Sequence, residues 1–151
     1  MKRLYLVRGL PGSGKSTVAR ALADSALIGG EAIEADEFFV DADGAYRFDG
    51  TKLGDAHRDC LERARALMVM PGTRLVAVAN TFSQQWEMEP YYLLAEELEW
   101  TFTTLECVVD FGRLDPEREK WRRRFHDVPE SAIQRMRDRW ERVESFVSGD
   151  R

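Results

Sequence analysis

No apolar run in this chain is long enough to cross a membrane, and the apolar part of its start, MKRLYLVRG, is too short for a signal peptide. The expectation is a cytoplasmic protein of a bacterial or phage-infected cell, with no membrane partner. Its two cysteines, Cys60 and Cys107, show neither CxxC nor metal-ligand spacing. That excludes a disulfide scaffold and reads as buried free thiols. There is no excess of positive charge either. The net charge is −5, so the chain does not coat nucleic acid indiscriminately. Repeats, low-complexity runs and linkers are missing. With 151 residues, the expectation is a single domain, 1–151, with a substantial core.

Two further absences concern nucleotide chemistry. There is no N-K-x-D motif, which disfavours a guanine-nucleotide switch. There is no ABC-type signature, and no length for a second motor domain.

What is present starts at residue 9. LYLVR (4–8) reads as a buried strand, GLPGSGKST follows at once, and residues 15–27 read as a helix. Gly9-Leu-Pro-Gly-Ser-Gly14-Lys15-Ser16 satisfies G-x-x-x-x-G-K-[ST] in full. At average composition those fixed positions would arise by chance in about one chain of this length in two hundred. The flanking strand and helix make chance less credible still. The glycines let backbone N–H groups turn onto phosphates, and the helix N-terminus adds its positive end. Gly9, Pro11, Gly12, Ser13, Gly14, Lys15, Ser16 and Thr17 are therefore the expected ATP-binding residues. Lys15 reaches the β- and γ-phosphates and Ser16 takes Mg²⁺.

The remaining pattern alternates strands with helices. EAIEA (31–35) is a short strand ending at Asp36, and 37–51 is irregular. An amphipathic helix spans 51–70 with the stripe Leu53, Ala56, Cys60, Leu61, Ala64, Leu67 and Met68. RLVAVA (74–79) is a strand, and Pro90 sits in the first turn of a helix running to about Leu98. TFTTLECVV (101–109) is a strand. A short helix near 116–125 and a longer one from Pro129 to Val147 close the chain. In the last, Ile133, Met136, Trp140, Val143 and Val147 form the apolar stripe. This predicts an α/β fold of the P-loop NTPase three-layer type: a parallel sheet flanked by helices, with a C-terminal basic helical lid. Ligands of such sheets lie at the carboxyl ends of the strands.

Those ends supply the other candidates. Asp36, at the end of the second strand, is the expected base for an attacking hydroxyl. Asn80, at the end of the third, is expected to hold substrate or the magnesium shell. His57 is expected half in the core or lining the acceptor pocket, with Arg47 and Arg58 flanking it either as solvated surface arginines or as partners for an acceptor phosphate. Trp86, Tyr91 and Tyr92 are expected to pack on the sheet rather than stack a base. Residues 113–142 carry ten Lys/Arg against seven Asp/Glu, while the rest of the chain carries twelve against twenty. Within that basic part, one of Arg122, Arg123 and Arg124 is expected to contact phosphate as part of a lid. Arg135, Arg139 and Arg142 share a helix face that offers a second phosphate site. The third strand ends Ala79-Asn80 where many ATPases place a magnesium-binding Asp. That argues for phosphoryl transfer to a bound acceptor over a hydrolytic motor.

With the phosphate loop, Asp36, NTFSQQWEMEPY and HDVPESAIQRMRDRWE, nearly the whole chain resembles the small P-loop kinases related to phage polynucleotide kinase. It is most similar to a compact family of phages and bacteria described as ATPases, found also as the kinase domain of an animal ubiquitin-ligase-binding protein. EADEFF and DGAYRFDGTKLGDAHRDC are typical of it. The resemblance implies ATP- and Mg²⁺-dependent phosphorylation of a hydroxyl-bearing acceptor, in the best-known relatives the 5′-hydroxyl of DNA or RNA. It makes Asp36 the general base and Arg123, six residues before Pro129, the lid arginine. Three positions depart from it. Phe39 stands where phage polynucleotide kinase has an arginine for the acceptor's 3′-phosphate. Ala79 replaces an acidic residue. Arg124 and Asp127 replace Asn and Gly in RNxHGVP. Other acceptors stay open: a nucleoside, a sugar nucleotide as in zeta-toxin-like kinases, or a hydroxymethylated base in DNA. So does an ATP-binding regulatory module with little turnover. No obligate protein partner is implied.

Overall fold

The computed structural model describes residues 1–108 and 129–143. Along them, strands and helices alternate: β1 (Arg3–Gly9), α1 (Lys15–Ser25), β2 (Gly30–Ile33), α2 (Leu53–Val69), β3 (Leu75–Asn80), α3 (Gln85–Glu97), β4 (Thr101–Cys107) and α4 (Glu130–Asp138). The four strands make one parallel sheet in the order β2-β3-β1-β4. Val7 of β1 stands in register with Ala79 on one side and Leu105 on the other.

Burial explains the strand sequences. β3 is buried along its whole length, so LVAVAN shows no alternation. β1 serves both faces in turn. Leu4 and Leu6 enter a core with Ala56, Cys60, Ala64 and Met68 of α2 and with Met88, Tyr91 and Leu94 of α3. Val7 enters a smaller core with Ala77, Ala79 and Ala19 of α1. Truncating a fully buried leucine such as Leu6 would cost about 2–5 kcal/mol. Gly30 opens β2 because a Cβ there would overlap the Ala23 carbonyl of α1. The chain leaves β1 toward β3 and β2, then crosses back to place β4 on the other flank. That reversal opens the crevice at the carboxyl end of β1.

Several boundaries differ from the expectation. β2 stops at Ile33, and Asp36 lies beyond it in a 3₁₀ turn, Ala35–Phe39. A second 3₁₀ turn, Gly50–Lys52, precedes α2, and Leu53 is exposed, off the buried stripe. α3 begins at Gln85, so Pro90 is inside the helix. The start is set by a capping box, in which Gln84 and Glu87 satisfy each other's backbone N–H groups. α4 ends at Asp138, short of Val147, because the backbone of Glu141 is captured elsewhere. Its N–H donates to the Ser83 carbonyl (2.8 Å) and its carbonyl accepts from Arg8 (2.9 Å). Val143 then packs on the main core. The helix expected near 116–125 and Val147 lie outside the described residues.

Candidate active site

The phosphate loop joins β1 to α1 as the motif requires. Gly12 and Gly14 have φ of 78° and 87°, a region open to glycine and costly for other residues. Gly14 is the N-cap of α1, with no side chain capping the first turn and no acidic residue in it. The N–H groups of that turn are thus left for an anion. Ser13 Oγ is buried without a hydrogen-bond partner, and a Cβ on Gly9 would collide with it. An orphaned hydroxyl on a tightly wound loop fits a polyphosphate oxygen. The Lys15 ammonium rests 3.5 Å from the Leu10 carbonyl. Burial lowers its pKa, while Asp36 and Glu34 pull it back up. Beside the loop, a pocket of 290 Å³ is bounded by Leu10, Ser13, Cys107, Val108 and Trp140, among others.

Across from the loop stands the turn after β2. The Ser16 hydroxyl donates to Glu34 Oε2 at 2.6 Å. A hydroxyl and a carboxylate in contact at the head of α1 are hard oxygen donors of the kind Mg²⁺ takes. Among the described residues there is no cluster of three or more acidic, histidine or cysteine groups for a metal. A magnesium ion here would therefore lean on Ser16, Glu34, water and the nucleotide's own phosphates. Glu34 was missed by the sequence reading, although a signal existed. Had EAIEA run extended into Asp36, as the sequence reading has it, alternation would put Glu34 on Asp36's side; in the structure Glu34 instead caps the 3₁₀ turn that carries Asp36.

The turn itself is held from two directions. The Ala35 N–H donates to Asn80 Oδ1 (2.8 Å), and Asn80 Nδ2 faces Cys60 Sγ (3.7 Å). Arg63 of α2 donates to the Glu34 carbonyl (2.9 Å), to Asp59 (2.8 Å) and to the Glu37 carboxylate. Asp36 is exposed at the tip, within electrostatic reach of Lys15. A turn clamped at Ala35, Glu34 and Glu37 presents Asp36 from a fixed backbone.

Other candidates fare differently. Asn80 is buried, its Oδ1 accepting from the Ala35 N–H of the Asp36 turn and its Nδ2 facing Cys60 Sγ. His57 is exposed, not half in the core, because α2 turns its Ala56–Cys60 face to the sheet. Arg47 is exposed and paired with Asp41 (3.0 Å), and Arg58 with Asp55 (3.2 Å). Arg139 donates to Ser83 Oγ (2.9 Å), which removes it from the suggested second phosphate face. Tyr91 packs edge-on against Phe82, and Tyr92 packs against Phe102 at a tilt of 36°, as expected of packing aromatics. Trp86 instead stands exposed, its indole N–H on Gln84. Arg122, Arg123 and Arg124 lie outside the described residues.

Arg8 is the side chain that sequence reasoning overlooked altogether. It is the last side chain of β1 before Gly9 and is fully buried. Its guanidinium donates to the carbonyls of Phe82 (3.0 Å), Ser83 (3.3 Å) and Glu141 (2.9 Å), lies 3.5 Å from Glu106, and sits 4.1 Å from the Trp140 ring centre. Phe82 accepts this bond from a left-handed conformation, φ 47°. Burial lowers the Arg8 pKa and Glu106 opposes it.

Residues 4–143 match the family described as AAA domain. The chain belongs to that family. It is 34% identical over 145 residues, 96% of its length, to human NEDD4-binding protein 2, of which it spans only 8%. A chain of the Pnkp1/Rnl/Hen1 RNA repair complex superposes with a TM-score of 0.65 at 19% identity, covering 91% of this chain and 43% of that one. The Mycobacterium tuberculosis APS kinase CysC, in complex with AMPPNP and APS, superposes with a TM-score of 0.59 at 19% identity, covering 85% of this chain and 76% of that one. The fold is that of the P-loop kinases. Among the described residues, no helix is long and apolar enough to cross a membrane.

Proposed function

We propose that this protein is an ATP-dependent kinase that passes the γ-phosphate of ATP to a hydroxyl, with the 5′-hydroxyl of a polynucleotide as the leading acceptor. The observation that carries the reading is the confrontation of Lys15 and Ser16 with Glu34 and Asp36 across one crevice. The loop amides and Lys15 bind and orient the triphosphate. The pocket flanked by Leu10, Cys107, Val108 and Trp140 gives room for its nucleoside half. Mg²⁺, held by Ser16 and Glu34 with the phosphates, would supply charge neutralisation at the phosphoryl group. Asp36 accepts a hydrogen bond from the acceptor hydroxyl, orients its oxygen and takes its proton as the oxygen attacks. In-line transfer needs little else from the protein than such positioning and charge. Arg123 remains the candidate to neutralise the migrating group.

Phe39 is buried in the core, so no cation stands at its position to grip a 3′-phosphate. That favours acceptors recognised without one, and keeps a kinase for a smaller hydroxyl compound as the second reading. The test is transfer of labelled γ-phosphate from Mg-ATP to 5′-hydroxyl DNA and RNA strands, beside nucleosides and sugars. Label on strand ends, abolished in Asp36→Asn while ATP binding persists, supports the proposal. Label only on small acceptors moves the reading to the second one. Full activity in Asp36→Asn overturns the role of Asp36.

A further inference from the structure

The turn bearing Asp36 runs straight into an aromatic cluster for which phosphoryl transfer itself has no use. Phe39, 5% exposed, is its root in the core. Around it stand Phe38 (centroids 5.4 Å apart, edge-on), Tyr46 (6.2 Å) and Phe48 (5.1 Å). These three rings remain 39%, 56% and 58% exposed. Their backbone is fixed all the same. Val40 and Tyr46 pair as an antiparallel bridge, and the Arg47 N–H donates to the Phe39 carbonyl (2.8 Å). The Asp41 carboxylate closes the connecting turn by accepting from the N–H groups of Asp43 (3.0 Å) and Ala45 (2.9 Å). Exposed rings on a pinned backbone form a shelf that loses little freedom when something lies on it.

The shelf adjoins the reacting groups. The Tyr46 phenol feels the charges of Asp36 and Glu34, and Glu34 touches Ser16 of the phosphate loop. Its charge is equally informative. Residues 34–49 include six acidic side chains and one basic one, Arg47, which is paired with Asp41. Such a surface repels phosphate and cannot hold an acceptor by its backbone. A polyol would need an array of hydrogen-bonding groups, and among the three exposed rings only the Tyr46 hydroxyl offers any. What exposed rings do bind is another flat ring.

We infer that Tyr46 and Phe48 are the acceptor-binding surface, and that they stack the nucleobase of the nucleoside whose hydroxyl is phosphorylated. This rests on the kinase reading above and narrows its substrate class. The base belongs either to a free nucleoside or to the unpaired 5′ end of a strand, because only an unstacked base exposes its face. A 3′-phosphate is irrelevant to binding.

The test compares the wild type with the double variant Tyr46→Leu/Phe48→Leu, which keeps apolar bulk and leaves Phe39 in the core. Tyr46→Phe serves as the conservative control. Acceptors are a 5′-hydroxyl single strand, the same strand with an abasic 5′ residue, a free nucleoside and a polyol sugar. The expected result is an acceptor KM about tenfold or more higher in the double variant. Its kcat and ATP Kd stay within about twofold, and Tyr46→Phe behaves as wild type. The abasic strand should already be a poor acceptor for the wild type and indifferent to the variant. The strand and nucleoside arms tell the two sources apart. Equal use of normal and abasic ends, transfer to the polyol alone, or an unchanged KM in the double variant overturns the shelf. If no acceptor takes phosphate, the kinase reading fails. Anisotropy of a labelled 5′-hydroxyl strand then decides the shelf: binding weakened in the double variant supports it, and absent or unchanged binding overturns it.

Discussion

Asn80 Oδ1 receives the Ala35 N–H at 2.8 Å, tying the end of β3 to the turn that carries Asp36. The bond is buried and its donor belongs to the backbone, so its loss leaves Ala35 N–H unpaired. Asn80→Ala should lower stability by about 1–3 kcal/mol. It should also slow phosphoryl transfer about tenfold by loosening Asp36, with ATP affinity nearly unchanged. A urea melt and single-turnover transfer measured side by side check both halves.

Arg63 clamps the same turn from α2, using one guanidinium for the Glu34 carbonyl, Glu37 and Asp59. Lysine keeps the charge and loses the fork. Arg63→Lys should reduce kcat about tenfold while ATP Kd stays within twofold. Equal kcat in the two proteins would show that the Asn80 side of the clamp suffices.

Glu34→Gln removes the carboxylate charge beside the Ser16 hydroxyl. The Mg²⁺ concentration for half-maximal stabilisation of the ADP complex should rise about tenfold or more, with metal-free ADP binding unaffected. Calorimetric titration of Mg²⁺ into the ADP-loaded protein reads this without turnover.

Lys15 gives a pH signature of two opposite signs. Its folded-state pKa is lowered, chiefly by burial, so the unfolded chain binds its proton more tightly. This charge therefore costs stability at neutral pH, and the cost lifts as pH rises through the folded-state value. ATP needs the charged form, so affinity should decline over the same window, beginning below the ordinary lysine value of about 10.4. Asp36 raises the Lys15 pKa, so in Asp36→Asn the decline should start at lower pH. Nucleotide Kd and melting temperature across pH 7 to about 10.4 check the pair of trends.

The sequence made the phosphate loop legible because that chemistry is local: glycines, lysine and serine act within nine consecutive residues. Strand and helix order was legible from periodicity. The start of α3 was not read correctly, because Pro90 is a visible signal while the Gln84–Glu87 capping box is a quieter one. Long-range pairing stayed hidden. Nothing near Asn80 in the chain announces Ala35, and nothing in LYLVR says that Arg8 will be enclosed by Phe82, Ser83, Glu141 and Trp140. His57 was misplaced for a related reason. Its helical position was right, but the stripe that buries α2 runs through Ala56, Cys60, Ala64 and Met68, leaving His57 outside.

The enclosure of Arg8 also bears on how the protein is made. The last side chain of β1 before the phosphate loop finds one of its acceptors 133 residues further along, at residue 141. Until the ribosome has released that stretch, a buried cation beside the nucleotide site has the Phe82 and Ser83 carbonyls and Glu106 but lacks the Glu141 carbonyl and the Trp140 ring, and an under-satisfied buried charge is destabilising. Nucleotide binding by the nascent chain should therefore reach full strength only once Glu141 has emerged, long after GLPGSGKST.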